Sequence, residues 1–196
     1  MNVNHAPEDA ARGGRGATSL PPLFALDAVA RALDEAAIEW ALGGSALLHG
    51  LGLARHVGDW DLTTDATPEA AAAALGALSP KFHGNLGIHA DHKLTCFDGA
   101  VEVICGFAFF GGRGVIRIPT RITGRWRGYP LGSPEAWTVA YTLLIAESPA
   151  RAAKAEALFE HLREHGDASR IRAMLAQPLP EALAERLQQL LTGSGS

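Results

Sequence analysis

Apolar residues recur at helical spacing from Leu23 through Leu26, Val29 and Leu33 to Ala37, which predicts an amphipathic helix over 23–37. The next residues alternate, Ile38-Glu39-Trp40-Ala41-Leu42, and predict a short strand running into Gly43-Gly44-Ser45. Ser45 is a ready cap for a helix over 46–53, weakened by Gly50 and Gly52. Residues 58–64 are β-prone, with apolar side chains at alternate positions, and predict a strand. Thr67-Pro68-Glu69 sets a capping residue before a proline at the first helical position, so a helix should run from there to 78.

Two β-prone runs, 92–97 and 100–106, flank Asp98-Gly99, a turn dipeptide suited to a tight hairpin. A further short strand is expected over 115–118. Beyond Gly132 the pattern turns helical. Ser133-Pro134-Glu135 opens a helix to 147, Ser148-Pro149 opens a second that Gly166 closes, and two more are expected over 168–176 and 180–191. Residues 19–131 therefore read as mixed α/β and 132–192 as a helical part, with a boundary near Gly132. Residues 1–18 lack an apolar run and 193–196 are Gly-Ser-Gly-Ser, so both ends read as flexible tails.

Composition narrows the class. A chain of 196 residues makes one domain, with a core large enough to need no disulfide staple. Two cysteines, Cys96 and Cys105, fit a reducing compartment, so a cytoplasmic location is expected. No apolar run approaches the roughly 20 residues that span a bilayer, so no membrane partner is expected. The net charge of −4 argues against a strongly basic nucleic-acid clamp. Charged residues are only 19% of the chain, below the usual quarter, so a local cluster of acids carries information.

Asp59-Trp60-Asp61 is such a cluster. On a strand, alternation points both carboxylates to one face and Trp60 and Leu62 to the other. Parallel carboxylates this close repel unless a cation lies between them, and Mg²⁺ favours one or two carboxylates plus substrate phosphates. The bland alternative is a pair of solvated acids at a strand end. Upstream, Gly43-Gly44-Ser45 stands at a strand-to-helix junction, where glycines allow close approach of a phosphate and the helix start offers free N–H groups. The alternative there is a tight turn with a capping serine. Downstream, Glu102 interrupts the apolar run Val101-Glu102-Val103-Ile104 and faces either water or a site.

Taken together, Leu42-Gly43-Gly44-Ser45, a spacer over 46–58 and Asp59-Trp60-Asp61-Leu62 resemble the motif of the nucleotidyltransferase superfamily of the DNA polymerase β type. Within it the chain looks most like the bacterial group of AbiEii-type toxins and lincosamide-type nucleotidyltransferases, and Arg55 matches an arginine common there. The resemblance implies an α+β fold, a small mixed sheet flanked by helices, with residues 19–131 as the nucleotidyltransferase core and a helical C-terminal part. It implies Mg²⁺-dependent transfer of a nucleoside monophosphate from a nucleoside triphosphate (NTP) to a hydroxyl on a small molecule such as an antibiotic, on tRNA or on a protein. Asp59 and Asp61 would hold two Mg²⁺ ions, Glu102 would be the third carboxylate, as metal ligand or base, and Gly43, Gly44 and Ser45 would hold the phosphates. The alternative it leaves is an inactive module that binds a cognate protein in a toxin–antitoxin-like pair. Departures are Val57 for a threonine, the bulky Trp60, Tyr141 where toxin-like members carry lysine, and Ala155 where they carry aspartate. Arg151 and Lys154 are candidates for the nucleotide-binding cations, against the alternative of a solvated helix face.

Other signals are weaker. His83, His89, Asp91 and His92 match no zinc spacing and read as a polar loop. Gly43-Gly44-Ser45-Ala46-Leu47 lacks the last glycine of a nucleophile elbow. Arg113, Arg117, Arg121, Arg125 and Arg127, interleaved with Trp126 and Tyr129, form a basic stretch suited either to RNA or a polyphosphate, or to a solvated strand face.

Overall fold

The computed structural model describes residues 19–84 and 87–193. A mixed sheet of seven strands forms its centre, flanked by helices. In spatial order the strands are β3 (Lys81–His83), β4 (His92–Cys96), β5 (Val101–Cys105), β2 (Trp60–Thr64), β1 (Ala41–Leu42), β9 (Tyr129–Leu131) and β8 (Gly124–Trp126). β2 runs parallel to β5 and β1 parallel to β9, and the other neighbours are antiparallel. A separate hairpin is made by β6 (Ala108–Gly111) and β7 (Gly114–Arg117).

The helices are α1 (Leu23–Glu35), α2 (Gly44–Gly50), α3 (Pro68–Ala74), α4 (Pro134–Leu143), α5 (Arg151–His165), α6 (Ala168–Leu175) and α7 (Glu181–Gly193). The starts of α3 and α4 follow the predicted chemistry, whereas α5 begins at Arg151 with no side-chain cap, past the expected opening at Ser148-Pro149. The Thr67 hydroxyl accepts from the Ala70 N–H, Ser133 from Ala136, and Asp167 from Ser169 and Arg170, with Pro68 and Pro134 in the first turn. The expected tails at 1–18 and 194–196 lie outside the described residues.

Several local expectations shift, among them the helix expected to run to 147, which ends at Leu143 and continues as a 3₁₀ turn, Leu144–Ala146. α1 ends at Glu35, and Ala37 adopts a left-handed conformation (φ +53°) while the Ile38 N–H bonds back to the Leu33 carbonyl at 2.9 Å. That helix-terminating turn consumes residues 36–38 and leaves β1 only Ala41 and Leu42. α2 starts at Gly44 with no side-chain cap, so Ser45 is not the cap but lies inside the first turn. The helix after Thr67 stops at Ala74 and a 3₁₀ turn, Gly76–Leu78, finishes the segment.

The hairpin at Asp98-Gly99 forms. β4 and β5 pair antiparallel with Cys96 opposite Val101, joined through Phe97 and Asp98, both in left-handed conformations, and Gly99 at φ +89°. Alternation along the sheet then divides its faces. Trp60, Leu62, Val101 and Val103 are fully buried on one side. There the Trp60 indole N–H donates to the Pro22 carbonyl just ahead of α1. The other face carries Asp61 and Glu102, with the Trp137 and Tyr141 rings of α4 nearby.

Candidate functional site

The parallel register sets Asp61 of β2 directly opposite Glu102 of β5. Asp59 precedes β2 by one residue and shares Asp61's face by alternation. As a result one carboxylate oxygen from each of Asp59, Asp61 and Glu102 lies within 4.8 Å of the others, and all three side chains are partly buried. These acids line a cavity of about 270 Å³ together with Ser45, Lys93, His89, Arg151 and Lys154.

Mutual repulsion and loss of water dominate the electrostatics. Burial raises the Asp61 carboxyl to about 7, and the charges of Asp59 and Glu102 push it the same way. Asp59 is raised as well, first by burial and then by Glu102. Lys93 and Lys154 act in the opposite sense on both. The Lys93 ammonium lies 3.2 Å from Glu102 Oε2, which engages that oxygen and orients the carboxylate. Burial and the charges of Asp61 and Asp59 also push the Tyr141 phenol upward, so its hydroxyl stays protonated.

Such a donor set suits a hard divalent cation. Opposite oxygens of an octahedral Mg²⁺ are about 4.2 Å apart, and all-oxygen ligands match its preference. An added cation would offset both the burial and the repulsion that raise the two aspartates, so the residues present fit Mg²⁺.

The glycines of the Gly43-Gly44-Ser45 turn serve the site from behind. A Cβ on Gly44, whose φ is +53°, would stand 1.8 Å from Asp61 Oδ2, and one on Gly43 would stand 1.9 Å from the Trp137 ring. The Gly43 N–H donates to the Asp61 carbonyl at 2.8 Å, tying the turn to β2. Ser45 is the member of the turn that lines the cavity. Arg55 lies exposed outside it.

The cations come from elsewhere than the motif. Arg151 and Lys154, one turn apart on α5, both line the cavity, so they are not merely a solvated helix face. The Lys154 ammonium stands 5.3 Å from the centre of the Tyr141 ring, which brings a positive charge over the position where a lysine was expected. Arg151 is steadied by Glu147 at 3.3 Å. Trp60, bulky for its place, is accommodated because it points away from the acids.

Sequence reasoning missed Lys93 and His89. Lys93 was within reach: with Cys96 opposite Val101, Thr95 falls opposite Glu102 and Lys93 lies diagonally across on the same face. His89, assigned to a polar loop, pairs with the buried Asp91 at 3.2 Å, and its other nitrogen is 3.5 Å from Glu147. The hydrogen bond to Asp91 is the main cause that raises its pKa. His83 instead meets the Thr95 hydroxyl.

The sheet order, the flanking helices and the acids on adjoining parallel strands define a nucleotidyltransferase fold. The chain shares it with the antibiotic-resistance factor ANT(2'')-Ia. The solution structure of that protein aligns over 87% of this chain and 95% of its own, at 18% identity and a TM-score of 0.55. A crystal structure of ANT(2'')-Ia in complex with adenylyl-2''-tobramycin aligns over 88% of this chain and 89% of that one, at 17% identity and a TM-score of 0.48. A Thermotoga maritima protein described as a candidate nucleotidyltransferase aligns over 73% of this chain and 93% of its own, at 20% identity and a TM-score of 0.44. No protein-family model matches the sequence, and no curated protein does.

Proposed function

We propose that this chain is a Mg²⁺-dependent nucleotidyltransferase that moves a nucleoside monophosphate from an NTP to a hydroxyl on a small molecule. The convergence of Asp59, Asp61 and Glu102 within 4.8 Å in a cavity that also presents Ser45 and three cations carries this reading.

Asp59 and Asp61 would hold the metal, which when bound neutralises phosphate charge and makes the acceptor hydroxyl more acidic. Lys154 and Arg151 offset the remaining charge of the triphosphate. The Ser45 hydroxyl, the member of the turn that faces the cavity, holds its terminal phosphates, while Gly43 and Gly44 keep the turn packed against Asp61 and Trp137. Lys93 engages Glu102 Oε2 and leaves Oε1 to take the proton from the acceptor hydroxyl.

A recess of about 480 Å³ shares His89, Lys93 and Glu102 with the acidic cavity and gives the acceptor room beside Glu102. A small hydroxylated molecule fits that space, and the fold is that of an antibiotic-resistance factor. The tRNA reading rested on the basic stretch, which does not form one face. Arg117 and Arg121 line one cavity and Arg125 and Arg127 another, while Arg113 donates to the Leu179 carbonyl. Among the described residues no helix is long and apolar enough to cross a membrane.

The test is pyrophosphate release from each labelled NTP with Mg²⁺ and a panel of hydroxylated antibiotics, with tRNA and cell protein as other acceptors. Transfer that vanishes in Asp59→Ala/Asp61→Ala is the expected result. Transfer that survives that change removes the acids from the reaction, and an absence of both nucleotide binding and transfer favours a partner-binding module.

A further inference from the structure

A cavity of about 570 Å³, larger than the acidic one, opens among β7 and the segment after it, the start of α4, and α6. Phe107 lines both cavities. This size is typical of small-molecule sites, which combine an apolar lining with a few convergent polar groups. Here Phe107, Ile118 and Met174 are nearly fully buried and supply apolar wall.

The polar part is mostly positive. Among the described residues, Arg117, Arg121 and Arg170 line the cavity against a single lining carboxylate, Asp65. Asp65 is already engaged, since Oδ1 accepts from the Thr120 N–H at 2.9 Å and Oδ2 lies 3.4 Å from Arg121. Arg170 faces Glu135 at 3.5 Å and Asp167 at 3.7 Å. Arg117 differs. Its backbone N–H donates to the Gln177 side chain, but among the described residues its guanidinium meets no acceptor. The Thr120 hydroxyl, in the same segment, is buried without a partner among the described residues.

The other members of the basic stretch are accounted for locally. Arg113 donates to the Leu179 carbonyl, Arg125 to the Gly128 carbonyl, and Arg127 stacks on Trp126 at 5.1 Å. Arg117 and Arg121 are the members of that stretch that line this cavity.

We propose that this cavity binds a small amphipathic anion, an oxyanion on a compact apolar body, with Arg117 as its principal charge partner. The guanidinium suits a bidentate grip on phosphate or carboxylate, and the apolar wall takes the body. The site is separate from the acidic trio and does not depend on the proposed transfer reaction.

Amide-resolved NMR titrations of the full chain test it, with phenyl phosphate and benzoate as probes, benzyl alcohol as the uncharged control and inorganic phosphate as the bodiless one. Saturable shifts over 117–121 and 169–174 are expected with phenyl phosphate, benzoate or both, and weaker ones with either control. Which anion binds tighter separates phosphate esters from carboxylates. Arg117→Ala, at an exposed position, should weaken binding roughly tenfold. Ala173→Trp, also at an exposed position, should fill the cavity and abolish binding. Asp61→Asn should leave it unchanged. No saturable shift, equal binding of benzyl alcohol, wild-type binding in either cavity variant, or loss in Asp61→Asn would each overturn the proposal.

Discussion

Asp61 Oδ2 occupies the space that a side chain on Gly44 would need: a Cβ built there stands 1.8 Å away. The glycine thus sets the position of the most buried acid of the site, besides adopting a φ of +53° that L side chains disfavour. Gly44→Ala should lose about 1–2 kcal/mol from the backbone alone, and more from displacing Asp61. Gly52 gives the comparison, because its φ is +78° but nothing lies within 4 Å of an added Cβ. Thermal unfolding should show both variants destabilised, Gly44→Ala more so. Mn²⁺ titration should show weaker metal binding in Gly44→Ala and unchanged binding in Gly52→Ala. Equal behaviour would mean that the contact with Asp61 does not matter.

Asp61 also predicts how stability follows pH. Its folded pKa of about 7 exceeds the ordinary aspartate value of 3.8, so between those values the native state keeps a proton that the unfolded chain has released. The contribution of Asp61 to the stability of the metal-free protein should therefore be greatest near the lower value and be lost as pH rises through about 7. His89, also raised, acts in the same direction, so the informative quantity is the difference between wild type and Asp61→Asn. That variant should melt higher than wild type at pH 8 without metal, by several degrees, and show a flatter pH slope. Mg²⁺ should stabilise the wild type at pH 8 and the variant much less. Calorimetric scans with and without EDTA across pH 5–8 decide this.

Lys93 lowers the pKa of both raised aspartates and holds Glu102 Oε2 at 3.2 Å. Lys93→Met keeps most of the aliphatic stem but removes that charge, so Asp59 and Asp61 should take up protons at higher pH still. Metal binding, which competes with those protons, should then need a more alkaline solution. The expected outcome is a Mn²⁺ affinity profile displaced to higher pH, with little change in melting temperature for this partly exposed pair. An unmoved profile would show that Lys93 does not act on the acids.

The sequence made the acids legible because a strand alternates strictly: Asp59 and Asp61 had to share a face, and the Asp98-Gly99 turn set the β4–β5 register that carries Glu102. The parallel pairing of β2 with β5, which brings Glu102 opposite Asp61, depends on contacts far apart in sequence and has no local signature. Strands β3, β6, β8 and β9 escaped notice because each is three or four residues long, too short to establish a period. The glycines were read as room for a phosphate. Their tight packing against Asp61 and Trp137 required the tertiary arrangement. Lys154 was legible as a candidate cation beside the alternative of a solvated helix face, and its place over Tyr141 depends on how α5 packs against α4.

That position of Lys154 gives the last prediction. Its ammonium stands 5.3 Å from the Tyr141 ring centre, within the cavity that holds the acids. The aromatic face steadies the charge, and the acids attract it, so it is held where a triphosphate would meet it. Lys154→Ala should raise the KM for nucleotide about tenfold, the cost of one charge-assisted contact. Lys154→Arg should recover most of the loss, since guanidinium also stacks on an aromatic ring. Tyr141→Phe keeps the ring and should leave KM near wild type, while Tyr141→Leu removes the aromatic face and should raise it. Steady-state kinetics on the four variants, with nucleotide binding by calorimetry, separate the possibilities. If Lys154→Ala binds nucleotide as tightly as wild type, the lysine serves only to pack α5 against α4.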